Sequence, residues 1–124
     1  ILFTTPGIPS IYYGDEFGWL GVKGEGYEAD DPLRPELPAT PADAINDESL
    51  PLLNMYRWGA NFRREHPWLK HARTDKLELT NTTFTYTTHD DTNSITVILD
   101  LEERSARVEQ EGETTWSLPP ALSE

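Results

Sequence analysis

Two carboxylates, Asp15 and Glu16, stand side by side in the stretch Tyr-Gly-Asp-Glu-Phe-Gly. Paired carboxylic acids can share the acid, base and nucleophile roles of bond cleavage when their surroundings separate their pKa values. The two carboxyl groups of such a pair lie on either side of one bond, roughly 5 to 9.5 Å from each other. Adjacent residues of an extended chain instead point to opposite faces. We therefore expect one carboxylate to hydrogen-bond the turn at Gly14. The other should face solvent or an arginine, where it still lines a cleft.

Arg34 lies between two prolines in the sequence Asp31-Pro32-Leu33-Arg34-Pro35. Proline restricts the backbone, so the guanidinium group should point in a narrow range of directions. A preorganised guanidinium suits a hydroxyl-rich or anionic ligand. The alternative is that Arg34 only neutralises the nearby Asp30 or Asp31.

Aromatic side chains accompany these charged groups, namely Tyr13, Trp19 and Tyr27. Their flat rings offer surfaces on which a sugar ring can stack. The alternative is that they belong to the core, because aromatic residues bury large apolar areas.

The sequence gives little indication of a metal-binding site. Glu28, Asp30 and Asp31 offer oxygen ligands, but they lack the alternation and glycine placement of a helix-loop-helix calcium site. His66 and His71 are separated by five positions and a proline, whereas helical metal ligands stand three or four apart. We predict a solvated acidic loop, surface or structural histidines (including His89), no metal site and no cofactor.

Composition restricts the classes of partner. The chain has 124 residues, with 10 Lys and Arg against 22 Asp and Glu and a formal charge of -12. This charge argues against nucleic acid and anionic membrane surfaces as partners. No apolar run approaches the roughly 20 residues that span a bilayer. The absence of cysteine excludes disulfides and thiolate metal sites, and it favours the cytosol without deciding the compartment.

The residues that could take part in catalysis or binding come after an apolar segment at the start of the chain. Residues 1–13 are mostly β-branched or aromatic, with an interruption at Pro6, Gly7 and Pro9. We predict a strand, a kink and a second short extended piece. Residues 14–40 show neither helical nor strand periodicity and form a long loop. Because this loop keeps several aromatic residues, we expect it to be functional rather than disordered.

A helix is predicted within residues 42–72. Its apolar side chains fall at helical spacing, at Leu50, Leu53, Tyr56 and Ala60. Asp47 or Ser49 is available as the amino-terminal cap, and Pro51 suits the first turn. Pro67 ends or kinks the helix, because the residue before a proline avoids the helical conformation.

From Lys76 the apolar residues alternate with polar ones, which predicts five short strands. The alternating residues are Leu77 and Leu79, then Phe84 and Tyr86, then Ile95, Val97, Leu99 and Leu101, then Ala106 and Val108, and finally Trp116 and Leu118. Turn-forming residues separate these segments. We predict an antiparallel meander with one apolar and one wet face.

The sequence from Pro6 to Glu16, Pro-Gly-Ile-Pro-Ser-Ile-Tyr-Tyr-Gly-Asp-Glu, resembles the segment that closes the catalytic barrel of α-amylase-family glycosidases, glycoside hydrolase family 13. The stretch Asp31–Pro35 resembles the loop that follows, and Arg63–Pro67 resembles the end of the last barrel helix. The resemblance implies an α+β fragment. Residues 1–72 would be the last strand, loop and helix of a (β/α)8 barrel, and residues 73–124 a carboxy-terminal antiparallel β domain.

This resemblance implies a retaining glycosidase or transglycosidase that acts on an α-linked glucoside or glucan. The family's aspartate nucleophile, glutamate acid/base and second aspartate lie on earlier barrel strands, so no catalytic residue is expected in this chain. Tyr13, Asp15 and Arg34 are the implied substrate-binding residues, at the rim where barrel enzymes place their sites.

Other expectations concern the whole chain. It begins without methionine on an apolar segment, which predicts the tail of a longer polypeptide. In the isolated chain the opening segment is expected to be disordered, self-associated or repacked. The alternative function is a stand-alone acidic β module that binds carbohydrate or protein, and a third interpretation gives the sheet a shielding role on the barrel helices.

Overall fold

The computed structural model describes residues 1–119, and this part of the chain has an α+β fold. It contains one α-helix, α1 (Leu50–Glu65), and the strands β1 (Arg73–Leu79), β2 (Thr83–His89), β3 (Ser94–Asp100), β4 (Ser105–Gln110) and β5 (Glu113–Leu118). Short 3-10 helices cover Asp15–Phe17, Asp31–Leu33, Pro41–Ala44 and Pro67–His71. Two compact units can be distinguished, one made of Ile1–Pro9 with the chain from Phe62 onward, the other of Ser10–Asn61.

The five strands form one antiparallel sheet in the order β1-β2-β3-β4-β5, as the alternation predicts. Directly opposed residues form rows across it, and one row joins Tyr86, Val97 and Val108. All three are buried, together with Ile95 on the same face. Burial of each such side chain contributes about 1.5 to 3 kcal/mol, so this face forms the core of the unit.

The edge strand β1 is exposed along its whole length. Its register with β2 shifts between Lys76 and Glu78, which is a β-bulge. A bulge bends and twists an edge strand, and charged side chains on such a strand disfavour pairing with other chains. The exposed residues Leu77 and Leu79 therefore lie on a strand whose edge is irregular.

Helix α1 begins and ends near the predicted points, but its start is stabilised by a different residue. The side-chain oxygen of Asn46 accepts hydrogen bonds from the backbone N–H groups of Glu48 and Ser49, at 3.0 and 2.9 Å. Ser49 directly precedes the helix, yet its hydroxyl accepts from the N–H of Asn46 and donates to the carbonyl of Ala44. Ser49 therefore stands at the predicted cap position, and its carbonyl accepts from the N–H of Leu53, but its hydroxyl bonds the chain before the helix rather than the first helical turn.

The prediction of a strand in the opening residues is also wrong for this structure. Residues 1–13 form turns and irregular chain, and the N–H of Thr4 donates to the carbonyl of Ile1 at 2.9 Å. A strand needs a partner along its length, and within residues 1–119 the opening residues pair with none of the five strands. Pro6 and Pro9 have no N–H to offer to such a pairing.

Side chains from the carboxy-terminal part of the chain hold the opening segment, residues 1–9, in place. Thr4 is buried, and its hydroxyl lies 2.6 Å from that of Tyr86. Arg63 donates to the carbonyl of Thr5 at 2.9 Å and also to that of Gly7. These contacts supply the opening segment with polar partners that a strand would otherwise find in a sheet.

Candidate functional site

A cleft opens on the unit formed by Ser10–Asn61, between residues 11–16 and one side of helix α1. Its volume is about 440 Å³, and its lining residues are Ile11, Tyr13, Glu16, Leu53, Tyr56, Arg57 and Ala60. We call it the Tyr13 cleft. The volume lies within the range of small-molecule sites, which is roughly 300 to 1,000 Å³.

The helix wall of the Tyr13 cleft follows from the helical repeat. Leu53, Tyr56 and Ala60 recur at intervals of three and four residues, so they share one side of α1. Arg57 lies four residues after Leu53 and joins the same side. Its guanidinium group donates to the side-chain oxygen of Asn54 at 3.3 Å.

The loop wall depends on Gly14. This residue has a φ of 92°, in the left-handed region that favours glycine. A Cβ atom at Gly14 would lie 2.5 Å from the indole ring of Trp19, so a larger residue would displace that ring. The N–H of Gly14 donates to Oε2 of Glu16 at 2.9 Å. This contact confirms the prediction that one carboxylate of the Asp-Glu pair bonds the turn at Gly14, while Asp15 is exposed.

Tyr13 forms the rim of the cleft and is partly exposed. Its ring centroid lies 4.8 Å from that of Tyr12. Loss of solvent raises the pKa of the Tyr13 hydroxyl, and a hydrogen bond and repulsion from Tyr12 add to the rise. The positive charge of Arg34 acts in the opposite direction, so Arg34 lies close enough to Tyr13 to influence it.

Tyr56 also lines the Tyr13 cleft, and the charge of Asp15 acts on its hydroxyl group. Burial raises the pKa of the Tyr56 hydroxyl, and the negative charges of Asp15 and then Glu16 raise it further. A raised pKa keeps the phenol protonated and able to both donate and accept hydrogen bonds. Of the three predicted binding residues, Tyr13 lines the cleft, whereas Asp15 and Arg34 are not in its lining and act only through their charges on the pKa of Tyr56 and of Tyr13.

Arg34 does not neutralise the neighbouring acidic residues by a close ion pair. Asp30 instead pairs with Lys23, at 3.0 Å. Within residues 1–119 no carboxylate lies within ion-pair distance of the Arg34 guanidinium group, although its backbone N–H donates to the carbonyl of Asp31. The side chain of Arg34 is exposed.

The other aromatic candidates, Trp19 and Tyr27, have different environments. Trp19 is half-buried and lies against Gly14, with its ring 5.5 Å from that of Phe17. Trp19 therefore supports the turn but is not one of the buried core residues. Tyr27 is fully exposed and does not line the Tyr13 cleft.

The histidines have structural or surface settings. In His66, Nδ1 lies 2.8 Å from the carbonyl of Phe62 and Nε2 lies 2.9 Å from the side-chain oxygen of Gln110. His89 contacts the carboxylate of Asp75 at 2.8 Å on the surface. In the part of the chain that the structure describes, no three His, Asp or Glu side chains are grouped so that they could hold a metal ion. In the same part, no helix is long and apolar enough to cross a membrane.

Comparison with protein-family models and with curated proteins gives no match for this chain. The site therefore has to be interpreted from its own residues. Sequence reasoning missed Tyr56 and Arg57 as cleft residues. The signal for Tyr56 was present in the helical spacing, which marked it as part of the apolar side of α1.

Proposed function

We propose that this chain is the carboxy-terminal part of a retaining α-glycosidase or α-glucan-active enzyme of the α-amylase family. The observation that carries the proposal is the order of segments along the chain. The stretch Pro6–Glu16 comes first, the proline-flanked Arg34 follows, a helix ends just before His66-Pro67, and a five-stranded antiparallel sheet completes the order. In this proposal residues 1–72 close the barrel, residues 73–124 form the carboxy-terminal β domain, and the opening segment is a strand only when the rest of the barrel pairs with it.

The side chains around the Tyr13 cleft are chemically suited to a sugar ligand. A pyranose ring has C–H faces that pack on aromatic rings and hydroxyl groups that bond to charged or polar side chains. Tyr13 provides a partly exposed ring, Asp15 a solvent-facing carboxylate and Arg34 an exposed guanidinium group without a close ion pair in residues 1–119. These residues would bind substrate at the rim, and the catalytic carboxylates would come from the preceding part of the polypeptide.

The experiment begins with the gene. The reading frame upstream of Ile1 should encode a barrel, and the full-length protein should act on at least one of maltose, trehalose, sucrose and starch. The 124-residue chain should be inactive on all four. Tyr13→Ala and Arg34→Gln in the full-length protein should raise KM or lower kcat, whereas Tyr27→Ala should leave both unchanged. A reading frame without a barrel, or a full-length protein without activity on any α-glucoside, would contradict the proposal.

The alternative is a stand-alone acidic module that binds carbohydrate or protein. It gains support from the Tyr13 cleft, whose lining residues, among the described residues 1–119, lie between positions 11 and 60. The upstream reading frame separates the two functions. If the enzyme is found, deleting residues 76–124 from it tests the shielding role of the sheet, because unchanged stability with weaker glucan binding would argue against shielding.

A further inference from the structure

Two opposite charges face the Tyr13 cleft from its two walls. Glu16 belongs to the loop wall and Arg57 to the helix wall. They do not form an ion pair with each other, and neither is in the ion pairs found among residues 1–119. Their assigned hydrogen bonds are local, from the N–H of Gly14 to Glu16 and from Arg57 to the side chain of Asn54. A ligand in the cleft can therefore contact both of these side chains.

The lining between these charges is mostly apolar. Ile11, Leu53 and Ala60 contribute aliphatic surface, and Tyr13 and Tyr56 contribute rings. Ligand sites commonly combine an apolar lining with a few polar groups that fix orientation. A matching ligand has a small apolar body and two opposite charges.

We propose that the Tyr13 cleft binds a zwitterionic α-amino acid with an apolar side chain of about the size of leucine or phenylalanine. Its ammonium group pairs with the Glu16 carboxylate and lies against a tyrosine ring, where a cation is attracted to the π-face. Its carboxylate accepts hydrogen bonds from the Arg57 guanidinium fork. The side chain packs against Leu53 and Ile11.

The charge of the ligand follows from the charge of the protein. A net charge of -12 disfavours a purely anionic ligand, since among residues 1–119 only Arg57 adds a cationic side chain to the lining. A purely cationic ligand would offer no negative group to the Arg57 guanidinium. This proposal does not depend on the glycosidase function, because all of the residues involved lie in this chain.

The test is a titration of the isotope-labelled 124-residue chain, followed by NMR amide shifts. L-leucine and L-phenylalanine should produce saturable shifts confined to residues 11–16 and 53–60. Leucinamide, N-acetyl-leucine and N-acetyl-leucine amide lack one or both charges and should bind at least about tenfold more weakly, as expected for the loss of a charge-assisted hydrogen bond. Equal binding of the doubly blocked compound, or no saturable shift with either amino acid, would overturn the proposal.

Variants distinguish the effect of losing one charge from the effect of unfolding. Arg57→Gln and Glu16→Gln should each weaken leucine binding about tenfold or more. Arg104→Gln removes the same charge outside the cleft and should have no effect. Circular dichroism should be unchanged in all three variants, and Gln at position 16 can still accept the Gly14 hydrogen bond. Maltose serves as a further ligand: if maltose causes the shifts and leucine does not, the cleft belongs to the proposed sugar function and the amino-acid assignment is wrong.

Discussion

The hydroxyl groups of Thr4 and Tyr86 lie 2.6 Å apart in a buried hydrogen bond that joins positions 82 residues apart. The Thr4 hydroxyl also donates to the carbonyl of Ile1 at 3.0 Å. Its single proton is therefore used there, so Tyr86 is the donor to Thr4. This bond attaches the opening segment to the centre of strand β2.

The direction of this bond predicts unequal effects of its two partners. Tyr86→Phe removes the donor and leaves Thr4 bonded to Ile1, so it should lower the free energy of unfolding by only about 1 kcal/mol. Thr4→Val keeps the shape but leaves the Tyr86 hydroxyl buried without its acceptor, which should cost about 1 to 3 kcal/mol. Urea unfolding measures both, with the exposed Tyr27→Phe as the neutral control. Equal costs, or a larger cost for Tyr86→Phe, would show that the assigned donor is wrong.

Gly14 should tolerate alanine poorly for two reasons that a control can separate. Gly14→Ala places a Cβ atom at a residue with positive φ, 2.5 Å from the Trp19 ring. Gly26→Ala also places a Cβ at positive φ, 85°, but no atom lies within 4 Å of it. Backbone strain alone costs about 1 kcal/mol or more. We expect Gly14→Ala to exceed Gly26→Ala in unfolding cost and to change tryptophan fluorescence. Equal costs and identical spectra would mean that Trp19 does not depend on Gly14.

Arg63 should protect the opening segment from proteolysis. Its guanidinium group donates to the carbonyls of Thr5 and Gly7, which no glutamine side chain can reach together. In Arg63→Gln, chymotrypsin should therefore cleave after Phe3 several-fold faster than in the parent chain. Lys70→Gln removes one positive charge elsewhere and should cleave at the original rate. Mass spectrometry of timed digests measures both, and unchanged cleavage in Arg63→Gln would exclude this role.

His89 should make stability depend on pH. Its hydrogen bond to the Asp75 carboxylate raises the pKa of His89 above the ordinary 6.5, and the backbone of Asp90 contributes to the rise, whereas burial and Arg73 oppose it. Because the folded chain binds this proton more tightly than the unfolded chain, stability is fully present below pH 6.5 and declines as pH rises through the raised pKa.

Two measurements check the His89 prediction. NMR titration of the ring protons should give a pKa above 6.5, and urea midpoints should fall across the same pH range. Asp75→Asn should lower the pKa and flatten the dependence of the midpoint on pH. A wild-type pKa at or below the ordinary value would refute the assignment.

The sheet could be predicted from the sequence because its strands carry their own signal. One face of β2 and β3 is buried and the other is not, so buried residues recur at every second position, as Tyr86 and Thr88 do in β2 and Ile95 and Val97 in β3. Each strand also pairs with the next in sequence, so the turns between them were sufficient to predict the order.

The opening segment and the helix start could not be predicted in the same way. Strand propensity in residues 1–13 describes a preference that is realised only beside a partner strand, and these residues pair with no strand in the described part of the chain. At the helix start, several residues near Ser49 can cap, and the choice of Asn46 depends on the backbone path. The cleft could be predicted only in part. Tyr13 was predicted from the sequence, whereas predicting Arg57 would require knowledge of which side of α1 faces residues 11–16.

The strand order β1-β2-β3-β4-β5 also has a consequence for the time course of folding. Contacts between successive strands are local in sequence, and local contacts form rapidly because they close short loops. The bond between Thr4 and Tyr86 is the opposite case, since its first partner is synthesised long before the second. The sheet should therefore assemble first, and the opening segment should be the last part of its unit to reach its final position.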